Sequence, residues 1–197
     1  MFTILEKNEE SFVLNKSEFI AIVIHVTSLS SVEQHLSEIK KEYPKARHYC
    51  YAYIIGDKKK GYDDGEPSKT ASRPLLELLE KKELDEVLLV VVRYFGGILL
   101  GASRLMGAYL EAGVRVLNSS VLSIISNKYV YKAAMSYKDF DTLRRVMKKE
   151  DISFENILYE NTISVDILME ESVAKEVSNL FPHIELALYG SRKVYGK

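Results

Sequence analysis

Val87-Leu88-Leu89-Val90-Val91-Val92-Arg93-Tyr94-Phe95-Gly96-Gly97, continued by Ile98-Leu99-Leu100-Gly101-Ala102-Ser103-Arg104, is the stretch on which the fold turns. Its six branched aliphatic residues are too few for a membrane span and read as a strand covered on both faces. Gly96-Gly97 lets the backbone leave that strand through angles closed to other residues. From about Ala102, Leu105, Tyr109, Ala112 and Val116 recur at helical spacing. Arg104, Ala108, Glu111 and Arg115 fall on another side as a polar strip, with Glu111 and Arg115 spaced to pair. A strand, a glycine turn and a helix N-terminus together build a place where backbone N–H groups face a ligand. A tight turn with no ligand is the competing reading. No Gly-Lys-Ser/Thr follows the glycines, so the stretch is not a P-loop, and its glycine spacing does not match the dinucleotide fingerprint either. Arg93 shares a strand face with Val87, Leu89 and Val91, and a guanidinium there needs a carboxylate or carbonyl partner.

The length of 197 residues suits one domain with a smaller second one, or a single larger domain. The 47% hydrophobic content is ordinary for a globular protein with a sizeable core. A net charge of −1 argues against nucleic-acid binding by bulk charge and leaves room for a local basic patch. The single cysteine, Cys50, excludes intrachain disulfides and a cysteine-rich zinc site. With no secretory signal and no apolar run long enough to span a bilayer, the expected location is the cytoplasm, with no membrane partner.

Outward from the central stretch, Phe2 to Leu14 reads as two short strands around Lys7-Asn8-Glu9-Glu10, and Phe19 to Val26 as a third strand containing His25. Ser30 and Glu33 have capping-box spacing, opening a helix with Val32, Leu36, Ile39 and Tyr43 on one face, which Pro44 ends. Arg47 to Ile55 alternates: His48, Cys50, Ala52 and Ile54 share one face, Tyr49, Tyr51 and Tyr53 the other. The tyrosines either stack bases or line a helix, the second being favoured. Asp57 to Ser72 reads as one long loop of the kind that carries function. Within it Asp63, Asp64 and Glu66 have the chemistry to hold Mg²⁺, to act as acid and base, or to pair with Arg93; a solvated Asp-Gly turn is the bland alternative. Ser72 is placed to cap a helix with Pro74 in its first turn and Leu75, Leu76, Leu78 and Leu79 buried.

Beyond the central helix, Asn118-Ser119-Ser120 closes a first domain of residues 1–121, and Val121 to Asn127 connects to a second of residues 128–197. The second reads as strand Lys128–Met135, helix Tyr137–Lys149 opened by Ser136, strands Ile152–Leu158 and Thr162–Leu168, helix Glu171–Leu180 stopped by Pro182, and strand Ile184–Tyr189. That βαββαβ order is the ferredoxin-like plan. Its first helix carries Arg144, Arg145, Lys148 and Lys149, a contact patch or a solvated face.

Two stretches, Tyr62-Asp63-Asp64-Gly65-Glu66-Pro67-Ser68 and Arg93-Tyr94-Phe95-Gly96-Gly97-Ile98-Leu99-Leu100-Gly101, resemble the signatures of the IMPACT/YigZ family in order and separation. Ala46-Arg47-His48-Tyr49-Cys50-Tyr51-Ala52 resembles a third element. The resemblance covers roughly residues 15 to 117, and the tail resembles the C-terminal domain of bacterial members. It implies an α+β protein: a ribosomal protein S5 domain 2-like N-terminal domain, with helices on one side of a sheet, and a ferredoxin-like domain similar to the last domain of elongation factor G. It also implies translation-associated partners, since eukaryotic members regulate translation under amino-acid starvation. Fold likeness by itself is only an association.

The chain departs from the family pattern where Leu99 replaces a Lys, Ser103 and Arg104 a pair of Gly, and Gly107 an Arg; Lys69 and Ser72 stand where Gly is common. Fewer glycines stiffen the loop, while Arg104 and Lys69 add charge, which reads as a cationic site moved. The expectation is a non-enzymatic protein binding RNA, the ribosome or a translation-associated factor through Lys69, Arg73, Arg93 and Arg104, with Tyr62 and Tyr94 as stacking surfaces beside Gly96 and Gly97. No cofactor is expected. The alternatives are an enzyme on a phosphorylated or nucleotide substrate, with Mg²⁺ on Asp63, Asp64 and Glu66 and His48 as acid–base group, or a protein-interaction scaffold. The sequence shows neither an activated nucleophile nor a complete metal set.

Overall fold

The computed structural model describes residues 1–148 and 151–196. The chain divides into two compact units, Met1–Ile124 and Ile125–Gly196. The first contains β1 (Phe2–Thr3), β2 (Asn8–Leu14), β3 (Ser17–His25), α1 (Leu29–Glu42), β4 (His48–Ile55), β5 (Lys58–Tyr62), α2 (Ser72–Lys81), β6 (Val87–Tyr94) and α3 (Ala102–Asn118). Strand β7 (Ser123–Met135) leads into the second, with α4 (Tyr137–Val146), β8 (Ile152–Tyr159), β9 (Ile163–Met169), α5 (Glu171–Leu180) and β10 (Ala187–Gly196). This is a two-domain α+β protein. Among the described residues no helix is long and apolar enough to cross a membrane.

The first unit is built on an antiparallel sheet of order β2-β3-β6-β4-β5. Central β6 has Val87 to Val92 fully buried because both its faces are covered. Leu89 and Val91 join Phe19, Ala21, Cys50 and Ala52 under α2 and α3. Leu88, Val90 and Val92 join Ile20, Ile22 and Ile24 under Val32 and Ile39 of α1. The implied one-sided arrangement therefore holds for α2 and α3 only. The other face is as apolar as the first, and leaving it in water would forfeit roughly 1.5–3 kcal/mol per large side chain.

Several boundaries differ from the sequence expectation. Strands β1 and β2 do not pair with each other: β1 pairs with Ser123 and Ile124 of β7, so the supposed connection from Val121 already contains strand. The cap of α1 is Ser28, not Ser30, and Ser31 returns the bond to the Ser28 backbone, a capping box with Ser in the Glu position. Lys58 to Tyr62 is not loop but a strand paired with β4, which shortens the long loop to 63–71. Ala108 is buried, so the polar strip of α3 is interrupted there, although Arg115 and Glu111 do pair at 2.7 Å.

In the second unit β9 lies between β7 and β8, and β10 pairs with the other side of β7. Numbered within the unit, the order is 4-1-3-2, the ferredoxin-like sheet, with Phe140, Leu143, Ala174 and Val177 of the two helices in its core. Ser136 caps α4 through the Asp139 N–H. That helix ends at Val146, where Met147 turns to extended backbone; the expected end at Lys149 lies outside the described residues. The last strand begins at Ala187, later than expected, because Ile184 is taken into the core and bonded to the Phe181 carbonyl.

Candidate functional site: an acidic loop locked to the glycine turn

The loop after β5 is organised by Asp63. Its carboxylate accepts three backbone N–H groups, from Lys69 at 2.8 Å, Ala71 at 3.0 Å and Ser72 at 2.8 Å. Helix α2 has Ala71 at its N-cap, which has no side chain to cap with, and Asp63 supplies the missing acceptor from outside the helix. The expected cap, Ser72, is instead the first residue of α2. Burial alone would raise the pKa of Asp63, but the Ser72, Lys69 and Ala71 N–H bonds outweigh it and hold the carboxyl below its usual range. Asp64 spends its own carboxylate on the Tyr49 N–H at 2.7 Å, with backbone in the left-handed region that Asp tolerates.

Glu66 points inward. Its Oε1 accepts from Arg93 Nη1 at 2.6 Å and from the Tyr109 hydroxyl at 2.8 Å. His48 Nδ1 donates to the Asp64 carbonyl at 2.8 Å, which turns Nε2 towards the same Glu66 oxygen at 3.8 Å. Register explains the convergence: Phe19, Arg93 and His48 lie in one row across β3, β6 and β4. The second Arg93 terminal nitrogen donates to Ser17 Oγ at 3.3 Å, and the same hydroxyl accepts the Gly96 N–H at 3.2 Å. The guanidinium lies over the Phe19 and Phe95 rings, the surroundings of a buried Nε that has no hydrogen-bond partner. Cys50 Sγ donates to the Asp63 carbonyl at 2.9 Å. Burial pushes both the Cys50 thiol and the Tyr109 phenol upward, so both stay protonated at neutral pH.

This arrangement fixes what the acidic residues do. Asp63 and Asp64 are committed to backbone N–H groups, and Glu66 to Arg93 and Tyr109. Among the described residues no group of three or more His, Cys, Asp and Glu side chains is placed to hold a metal ion. The expected pairing of Arg93 with one of the three acids is present, with Glu66 as the partner.

The other predicted contact residues fall in separate places. Lys69 and Arg73 line a cavity of about 420 Å³ on the α2 side, where Arg73 Nε is 2.7 Å from Glu77. Tyr62 lies across from Tyr51 on the α1 face of the sheet. Tyr94 donates its hydroxyl to the Pro44 carbonyl. Gly96 is pressed against the Lys16–Ser17 backbone, Gly97 has φ +83°, and Ile98, Leu99 and Arg104 are exposed. Sequence reasoning did not select Lys16, Arg47 or Tyr109. Lys16 reaches the glycine turn through the β2–β3 hairpin, Arg47 lies over the Phe95 ring, and Tyr109 enters from α3. The usable signal was Arg47 beside His48 in a motif element; for Lys16 and Tyr109 there was none.

Residues 15–117 match the model of the Impact N-terminal domain. A Bacillus subtilis protein, IMPACT family member YvyE, is 33% identical over 175 residues, covering 86% of this chain and 80% of that protein. Protein IMPACT-B of Xenopus tropicalis is 35% identical over 108 residues, 51% of this chain and 33% of that one. A crystal structure of a hypothetical protein aligns over 95% of this chain and 96% of that chain, with 25% identity and a TM-score of 0.65. Residues of the matched domain also make up the Glu66–Arg93 lock and the glycine turn it holds, and the chain belongs to the IMPACT family.

Proposed function

We propose that the protein works by binding rather than by chemistry, engaging RNA, the ribosome or a translation-associated factor and so modulating translation. The observation that carries this is the commitment of Asp63, Asp64 and Glu66. The groups an enzyme would need for Mg²⁺ or proton transfer hold α2, β4 and Arg93 in place instead. What that lock presents outward is the exposed β6–α3 connection with Arg104, a cation with no partner among the described residues. Translation is the setting that family membership suggests, because eukaryotic members act there.

Contacts between arginine and phosphate weaken as salt releases condensed counterions. Cosedimentation of the purified chain with ribosomes and with total RNA is expected at low salt and should fall at moderate salt, and Arg104→Glu should reduce it further. Retention that ignores salt, or an Arg104→Glu chain held as well as the native one, overturns the electrostatic reading.

A further inference from the structure

Tyr51, Tyr53 and Tyr62 form an aromatic surface that the lock does not use. Tyr51 and Tyr53 alternate along β4 with ring planes 13° apart and centroids at 6.5 Å, and Tyr62 of β5 sits directly across from Tyr51 at 5.4 Å. Their neighbour Tyr49 serves the helix: its hydroxyl donates to the Tyr43 carbonyl and Lys40 lies over its ring. The sequence reading of Tyr49, Tyr51 and Tyr53 as a helix lining holds for all three, which pack against the α1 core. Tyr51 and Tyr53 are half-buried like Tyr49 but lack its bond to the helix, and Tyr62 is 47% exposed. The three hydroxyls make no hydrogen bond within the described residues.

The cations on this face are placed by the same register. Lys60 pairs with Tyr53 and Lys58 with Ile55, so both lysines stand on the tyrosine face, exposed and without a carboxylate partner among the described residues. Lys59 points the other way and pairs with Glu80 of α2. The carboxylates acting on Tyr51 are Asp64, already spent on the Tyr49 N–H, and Glu33 of α1.

We infer that the β4–β5 hairpin is a stacking platform for single-stranded RNA, with bases on Tyr51, Tyr53 and Tyr62 and backbone phosphates on Lys58 and Lys60. The Tyr51 and Tyr53 planes lie 13° apart and Tyr62 is tilted 38° to Tyr51, so successive bases meet similar but not identical tilts, and stacking on them tolerates any sequence. The lysines favour a polyanion over a proline-rich peptide, the other occupant that aromatic grooves take. The free tyrosine hydroxyls can reach 2′-hydroxyls, which DNA lacks. A surface of this kind also fits a chain of net charge −1, because stacking supplies affinity that bulk charge does not.

The inference rests on the binding role proposed above and is tested apart from it. The probe is an oligoadenylate of about eight nucleotides, within the span such surfaces cover. Its binding is followed by quenching of tyrosine fluorescence, which is unobscured in a chain without tryptophan. Tyr53→Ala and Tyr62→Ala should each weaken binding at least about fivefold, while Tyr62→Phe retains most of it. Lys60→Glu, at an exposed position of the edge strand, should weaken it too, and Lys59→Ala should not. With two phosphate contacts the logarithmic salt dependence should have a slope of about −1.4. The platform is overturned if the tyrosine and Lys60→Glu variants, shown folded by circular dichroism, bind like the native chain. It is equally overturned if the deoxy strand or an oligoproline peptide binds as tightly as the RNA. If the native chain ignores the oligonucleotide but still sediments with ribosomes at low salt, the platform fails and the binding role stands. If it does neither, both fail.

Discussion

Glu66 Oε1 and Arg93 Nη1 meet at 2.6 Å with side chains only 4% and 5% exposed, joining the acidic loop to the end of the central strand. Removing water from two charges costs several kcal/mol per ion, so such a pair persists only where other hydrogen bonds complete it. Here Tyr109 and Ser17 do so, and through Ser17 the pair also fixes the Gly96 N–H. The exposed Arg73–Glu77 and Arg115–Glu111 pairs lie in water, where solvent screens them and they contribute little.

Breaking the buried pair from one side should therefore be far more costly than breaking an exposed one. Glu66→Ala leaves Arg93 charged, buried and unanswered, and should destabilise the first unit by about 3–5 kcal/mol. Urea unfolding should show this as a lower midpoint with an unchanged slope. The double change Glu66→Leu with Arg93→Met removes both charges and should recover much of the loss. A Glu66→Ala chain within about 1 kcal/mol of native would mean that the pair is effectively solvated.

Asp63 gives the fold an acid-sensitive joint. Its carboxyl is held below its ordinary value in the folded chain, so it contributes stability that is fully present above its unfolded pKa of about 3.9. That contribution drains away as pH falls through the lower folded value, when the proton displaces the acceptor role toward Ser72, Lys69 and Ala71. Stability measured by urea between neutral pH and about pH 3 should fall more steeply for the native chain than for Asp63→Asn, which has no charge there to lose. At neutral pH, Asp63→Ala should cost about 2 kcal/mol, the scale of a lost helix cap bonded by a charged group. Parallel acid limbs for native and Asp63→Asn would remove Asp63 from this account.

What could be read from the sequence were the features governed by neighbours in the chain. The all-aliphatic run from Val87 to Val92 announced a doubly covered strand, and Ser136 announced the start of α4. Arg93 on an apolar face demanded a carboxylate or carbonyl partner, and pairing with Asp63, Asp64 or Glu66 was one of the roles the acidic loop left open. What escaped depends on contacts across the chain. Asp63 caps a helix that begins nine positions later, which no local capping pattern encodes. Lys58-Lys59-Lys60 looked like loop because β-propensity is low for lysine, whereas an edge strand favours it against unwanted pairing. The close approach of Gly96 to Lys16 belongs to packing between a hairpin tip and a turn eighty residues on, so the glycine pair read equally as ligand loop or tight turn.

That contact separates the glycines of the central stretch by experiment. A Cβ on Gly96 would lie 2.0 Å from the Lys16 carbonyl carbon, 2.2 Å from its oxygen and 2.4 Å from the Ser17 nitrogen. These are backbone atoms that cannot rotate away, and any shift also strains the Gly96 N–H bond to Ser17 Oγ, and with it the Arg93 lock. Gly96→Ala should cost about 3 kcal/mol or more. Gly107 is the opposite case: it lies inside α3, and an added Cβ meets nothing within 4 Å. Gly107→Ala should stabilise by about 0.8–1 kcal/mol, because alanine has less backbone freedom to lose on entering a helix. The two variants compared by urea unfolding should move the midpoint in opposite directions. A Gly96→Ala chain as stable as native would show that the hairpin tip yields to the glycine turn, and the turn would then be free of the packing that holds Arg93 and Glu66 in register.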